Sequence, residues 1–182
     1  MIIMVLPGGA KEAPHHGVLK ANGREYACAL GRAGIRADKR EGDGATPAGR
    51  FTLRQVLYRA DRLTLPVTAL PLTAIGPEDG WCDDADHPQY NRPVPLPFAA
   101  SAEKLWREDG LYDLIIVIGY NDNPPIAGAG SAIFLHVAGP AFAATEGCVA
   151  LERDTLVALV TEMGPGDEIA IHDEIAIHEA GA

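Results

Sequence analysis

The chain is short of cysteine and of positive charge, and it has no long apolar run. Its three cysteines, Cys28, Cys82 and Cys148, are odd in number and widely spaced. This is not a disulfide framework: at most one pair bridges, and at least one thiol stays free. No Cys-x-x-Cys pair points to zinc. Fifteen Lys and Arg against 25 Asp and Glu leave a formal net charge of −10. Such a surface repels phosphate backbones and anionic headgroups, so no nucleic-acid partner is expected. No stretch reaches the roughly 18 apolar residues of a transmembrane helix, so no membrane insertion is expected either. The opening MIIMVLPGGAKEAP holds an apolar run only from Met1 to Leu6, with no basic residue before it. That is too short for the ~7–15-residue core of a signal peptide. Residues 1–16 are therefore expected to form a poorly ordered extension.

What is present describes a folded domain. Hydrophobic residues make up 47% of the 182 and charged residues 22%, which excludes a disordered, collagen-like or coiled-coil chain. The length corresponds to about one domain. Twenty Gly and fourteen Pro spread along the chain imply many short elements joined by turns. Asn22-Gly23 between two alternating apolar runs predicts a two-residue hairpin. Residues 51–58 read as a strand, and 114–118 (LIIVI) and 132–137 read as buried strands. Residues 66–97 are too rich in proline for a central strand or a helix and read as a long surface loop. Ser101 is a plausible N-cap for a short helix to Arg107. Leu156, Val160 and Met163 share one helical face, stopped by Gly164-Pro165-Gly166. EIAIH at 168–172 is a strand, and its echo at 174–178 is a final hairpin, an added edge strand or a tail. The fold class expected is mainly β (α+β), with two short helices.

The chemistry concentrates in IFLHVAGPAFAATEGCVAL. His136 ends a buried strand, and Cys148 follows Gly147 a few residues before a helix. An ordinary thiol has a pKa of ~8.5 and is mostly protonated at neutral pH. A neighbouring imidazole can take its proton, and a helix N-terminus adds a modest field. With no side chain at Gly147, a carbonyl substrate can approach the Cys148 amide as an oxyanion donor. The opposing reading is that free cysteines are usually buried and inert.

The His136–Cys148 segment, together with the upstream GDGATPAGRF, resembles the L,D-transpeptidase catalytic domain family (the YkuD type) over about residues 17–172. Residues 173–182 are then a C-terminal extension or edge strand. The resemblance implies that Cys148 is the nucleophile and His136 the catalytic histidine. Thr145 matches the motif's hydroxyl residue, and Gly147 with the Cys148 amide the oxyanion region. Thr46, Pro47, Gly49 and Phe51 match the first motif, which is read as architectural. Tyr120 matches, more loosely, an aromatic lining the pocket. Three features depart from the family pattern: a short spacer between His136 and Cys148, Glu146 where many members have a second His, and Ala150 where many have Arg or Asn. They bear on how the substrate is held.

The family further implies a β-sandwich or barrel acting on peptidoglycan stem peptides or muropeptides, with no cofactor. Its reaction is acyl transfer through a Cys148 thioester, giving cross-linking or D-amino-acid exchange. With the same two residues, water as acceptor makes a cytosolic L,D-carboxypeptidase of recycled muropeptides. A third reading is a non-catalytic peptidoglycan-binding module. The family implies the periplasm or cell wall; a chain beginning without a leader points instead to the cytoplasm. Trp81, Tyr90 and Arg92 are candidates to receive a stem peptide with a free carboxylate. The neighbouring Asp83, Asp84, Asp86 and His87 have metal-ligand chemistry but not EF-hand spacing, so they are read as a substrate-side loop and no metal is expected. The sequence says nothing about oligomeric state.

Overall fold

The computed structural model describes residues 1–9 and 11–173; the EIAIH echo at 174–178 lies outside them. The first apolar run is a strand rather than an extension. β1 (Ile2–Pro7) lies between β2 (His16–Ala21) and the late strand β14 (Glu168–Ile171), antiparallel to the first and parallel to the second. Ile3 and Val5 are fully buried. The expected disorder fails at residues 2–7, because six residues with alternate apolar side chains suffice for a buried strand.

Asn22 and Gly23 adopt φ of 49° and 73°, as a type I′ turn requires, and join β2 to β3 (Arg24–Ala29). A small parallel pair follows, β4 (Ile35–Arg36) and β5 (Thr46–Pro47). β6 (Gly49–Tyr58) is the longest strand. Its first half pairs with β14 and its second with β11 (Leu114–Ile118), across a register irregularity that lets it turn between them. β7 (Leu72–Ala74) adds to its far end. From β11 the sheet runs through β12 (Phe134–Val137) and β13 (Val149–Leu151) to β3, β2, β1, β14 and back to β6. Eight strands thus close into a barrel, which leaves none of the eight as a free edge.

The barrel interior is filled by alternate residues of these strands, such as Leu19, Leu53, Ile116, Leu135 and Leu151. Helix α1 (Arg153–Val160) adds Leu156, Leu159 and Val160 to that core. The Glu152 side chain caps it by accepting the Thr155 amide.

A second layer covers the outer face of β11 and β12. β8 (Asp79–Cys82) is flanked by β9 (Pro93–Pro95) and β10 (Ala102–Lys104). Trp81 and Leu105 pack there on Ile115, Val117 and Phe134. This is why LIIVI is apolar throughout: both its faces are buried. Two expectations are corrected here. The 66–97 segment is not all loop; it holds β7, β8 and β9, and Pro93 and Pro95 sit on the edge strand β9, where a missing N–H does no harm. The helix expected from Ser101 to Arg107 is strand β10, paired with β8. Among the described residues a 3₁₀ turn, Pro140–Phe142, is the other short helical element. Among the described residues no helix is long and apolar enough to cross a membrane.

Candidate active site

Parallel pairing of β12 with β13 sets His136 beside Ala150. Alternation then sends Leu135, Val137, Val149 and Leu151 into the barrel and Phe134, His136 and Cys148 to the outer face. Cys148 immediately precedes β13. Its sulfur accepts the Phe134 amide at 3.4 Å, and its S–H donates to the Ala132 carbonyl at 3.3 Å. Among the described residues the His136 imidazole is not a hydrogen-bond partner of the thiol. It lies two residues further along the same face of β12, and both side chains line one cavity.

The turn carrying the cysteine is built by both sequence motifs. Thr145 Oγ1 accepts the Gly147 amide at 3.1 Å and donates to the Cys148 carbonyl at 2.7 Å. Thr46 Oγ1, fully buried, donates to the same carbonyl at 3.3 Å and accepts the Gly31 amide at 2.8 Å. Gly147 stands at φ 138°, and a Cβ there would meet the Ala45 carbonyl oxygen at 2.7 Å. The first motif therefore presses directly on the cysteine turn, in keeping with an architectural role. The helix does not abut Cys148: β13 intervenes, and a helix dipole fades within its first turn.

The cavity has a volume of about 480 Å³. Burial pushes the Cys148 thiol up to about 12, with the Glu103 carboxylate adding to the rise. Burial pushes the His136 imidazole down to about 4, against the favourable carbonyls of Val137 and Leu111. Nδ1 lies 2.8 Å from the Val137 carbonyl. A carbonyl only accepts, so the neutral ring carries its proton on Nδ1 and keeps a lone pair on Nε2. The Tyr112 ring packs edge-on against the imidazole at 5.2 Å and fixes its plane. Arg107 lies over the other part of that ring, 4.9 Å from its centre.

The cavity wall is acidic. Glu41, Asp83, Glu103 and Glu146 line it, with Arg107 the one cationic side chain among the lining residues. Arg107 is itself paired with Asp109. Burial raises the Glu103 carboxyl; the Tyr112 hydroxyl and Arg107 oppose this, while Asp83 and Glu41 add to it. Glu146, where many family members carry histidine, sits exposed at the rim and pairs with Arg32. Ala150 is fully buried opposite His136.

Of the residues singled out in the sequence, Cys148, His136 and Thr145 line this cavity together. Trp81, Arg92 and Tyr120 do not; they surround a separate recess of about 160 Å³ on the other side of Ile133. Trp81 is buried, edge-on to Phe134, with its indole N–H on Asn91. The Tyr120 hydroxyl donates to the Ala129 carbonyl. Tyr90 is also buried, its hydroxyl held by Glu41. Of the acidic loop only Asp83 reaches the cavity. Asp84 caps the Asp86 amide, and His87 accepts the Gln89 amide and packs edge-on against Phe98. Among the described residues no three such groups converge as a metal site would require. Sequence reasoning missed Glu41, Glu103, Arg107, Tyr112 and Ser131 as lining residues. The signal that existed, Glu103 and Arg107 four apart, pointed to a helix face. All three cysteines are free and buried.

The chain matches the model of the YkuD family, the L,D-transpeptidase catalytic domain, over residues 14–171. It belongs to that enzyme family. No curated protein matches it. Among solved structures it is similar to Mycobacterium tuberculosis L,D-transpeptidase 1, at 12% identity and a TM-score of 0.36, covering 93% of this chain and 61% of that one. It is also similar to an L,D-transpeptidase from Mycobacterium smegmatis, at 14% identity and a TM-score of 0.40, covering 93% and 58%. The chain thus spans about three fifths of the length of these proteins.

Proposed function

We propose that the domain catalyses cysteine-dependent acyl transfer on peptidoglycan tetrapeptide stems. The observation that carries this reading is the placement of His136 on β12 and of Cys148 at the entry to the parallel strand β13, both opening on one cavity. The sulfur attacks the carbonyl between an L-centre and the following D-residue as its proton passes to His136 Nε2. The Cys148 amide, behind a glycine, receives the developing oxyanion. The imidazolium then protonates the departing D-amino acid, leaving a thioester on Cys148. An incoming amine gives a cross-link or an exchanged D-amino acid, and water gives the trimmed stem. The acidic wall draws in a cationic acceptor, whose attacking amine gives up its proton to His136 Nε2 before it reaches the thioester, and this supports amine transfer over hydrolysis.

A non-catalytic binding module is the competing reading, favoured by the buried thiol and its bond to the Ala132 carbonyl. One experiment separates the three. The protein is incubated with a disaccharide tetrapeptide, with and without an amine acceptor, and products and intact protein are weighed by mass spectrometry. Released D-amino acid with a dimer or exchanged stem is the expected result, absent in Cys148→Ala. Tripeptide alone, even with acceptor present, assigns the carboxypeptidase. No product and no adduct on Cys148 overturns both catalytic readings.

A further inference from the structure

Asn91 lies outside the cavity, yet it is 3% exposed and held at φ 55°. Its side-chain amide is saturated. Oδ1 accepts the Trp81 indole N–H at 2.9 Å and the Ala132 amide at 3.1 Å. Nδ2 donates to the carbonyls of Tyr120 at 3.0 Å and Asn121 at 2.8 Å. An amide has two lone pairs on oxygen and two hydrogens on nitrogen, and here all four are used. Ala132, at the other end of one of these bonds, also has a positive φ, 52°, a conformation that costs a residue with a Cβ about 1–2 kcal/mol. It is the Ala132 carbonyl that accepts the Cys148 S–H.

We propose that Asn91 is a positioning residue for the nucleophile. By binding the Ala132 amide it holds that residue left-handed and so aims the Ala132 carbonyl at Cys148 Sγ. The thiol then has one acceptor for its proton and one donor, the Phe134 amide, for its lone pair. These two bonds fix the sulfur's rotamer and the direction of its hydrogen before a substrate enters. Asn91 does not touch the thiol; it acts through one residue, Ala132, whose amide it binds and whose carbonyl meets the sulfur.

The inference rests on the reading of Cys148 as the reacting thiol, but its test needs no peptidoglycan product, so the two fail separately. The readout is the Raman S–H stretching band of Cys148, isolated as the difference from Cys148→Ala, with alkylation of Cys148 by iodoacetamide at pH 8 beside it. Asn91→Ala frees Ala132: the band moves to higher frequency as the S–H loses its acceptor, and alkylation speeds up at least about tenfold. Trp81→Phe removes the indole donor and loosens the same region, but leaves the Asn91–Ala132 bond. Its band stays in place and its alkylation changes by less than about threefold. Should Asn91→Ala not fold, Ala132→Val carries the test, because a β-branched residue leaves the left-handed region and shifts the band as Asn91→Ala would. An unmoved band in a folded Asn91→Ala or Ala132→Val variant overturns the proposal. So does an equal shift in Trp81→Phe, which would reduce Asn91 to packing.

Discussion

Burial of both members of the pair sets the ionisation of Cys148, and this can be measured directly. An ordinary thiol near 8.5 is about one-eleventh ionised at pH 7.5. With the Cys148 thiol pushed up to about 12, about three molecules in 100,000 carry a thiolate at that pH. The ionised fraction is then lower by about three thousandfold. A more basic thiolate is also a better nucleophile, with a Brønsted slope of about 0.4–0.5, which restores roughly 25- to 55-fold. Alkylation of Cys148 should therefore run about 50- to 100-fold slower than that of glutathione at pH 7.5. The imidazole, down to about 4, stays neutral above about pH 5 and supplies no cation to hold a thiolate. The assay is iodoacetamide alkylation followed by peptide mapping of Cys148 from pH 6 to 10. The rate should climb about tenfold per pH unit with no plateau. His136→Ala should change it by less than about threefold while lowering acyl transfer by about 10²–10⁴-fold. The acid limb of turnover should lie near pH 4, because the base is lost only as pH falls through the imidazole's folded value. A plateau with a midpoint below about pH 7, or alkylation faster than glutathione, would refute the neutral pair and establish a thiolate–imidazolium pair.

Two further outcomes follow from the cysteine turn. Gly147→Ala places a Cβ 2.7 Å from the Ala45 carbonyl oxygen in a backbone region nearly reserved for glycine. Turnover should fall at least about 100-fold through displacement of the thiol, with circular dichroism unchanged; an active Gly147→Ala contradicts the packing described. Thr46→Val orphans the buried Gly31 amide and should cost about 1–3 kcal/mol. That is a fall in Tm of roughly 2–12 °C for a chain of this size. Thr46→Ser, which keeps the hydroxyl, should recover most of it in a thermal melt.

The legible parts of the molecule were those whose signal is local. Asn22-Gly23 declares a hairpin because only certain residues tolerate its φ values, and LIIVI declares a strand because no polar residue interrupts it. Cys148 and His136 stood out because a glycine-flanked cysteine and a strand-ending histidine recur in one motif. The β8–β10 layer was not legible. Its strands are three or four residues long, and prolines that exclude a central strand are harmless on the edge strand β9. The Ser101–Arg107 segment has good helical spacing, but pairing with β8 outweighs so short a helix. The acidic wall was hidden for another reason. Glu41, Asp83 and Glu103 come from separate segments, and only the closure of the second layer over the barrel brings them to one cavity.

The parallel pairing of β1 with β14 joins residues 2–5 to residues 168–171. During synthesis β1 therefore has one long-range neighbour that does not exist until residue 171 has left the ribosome. Until then Ile3 and Val5 lack part of their cover, and β6 lacks the partner of its first half. Folding with so many distant contacts is intrinsically slow. The two-residue hairpin after β2 forms early and shields one side of β1; the other stays a sticky edge for the whole of translation. Refolding from denaturant should accordingly be slower than that of a helical protein of equal size, because the barrel closes only when both ends of the described chain meet.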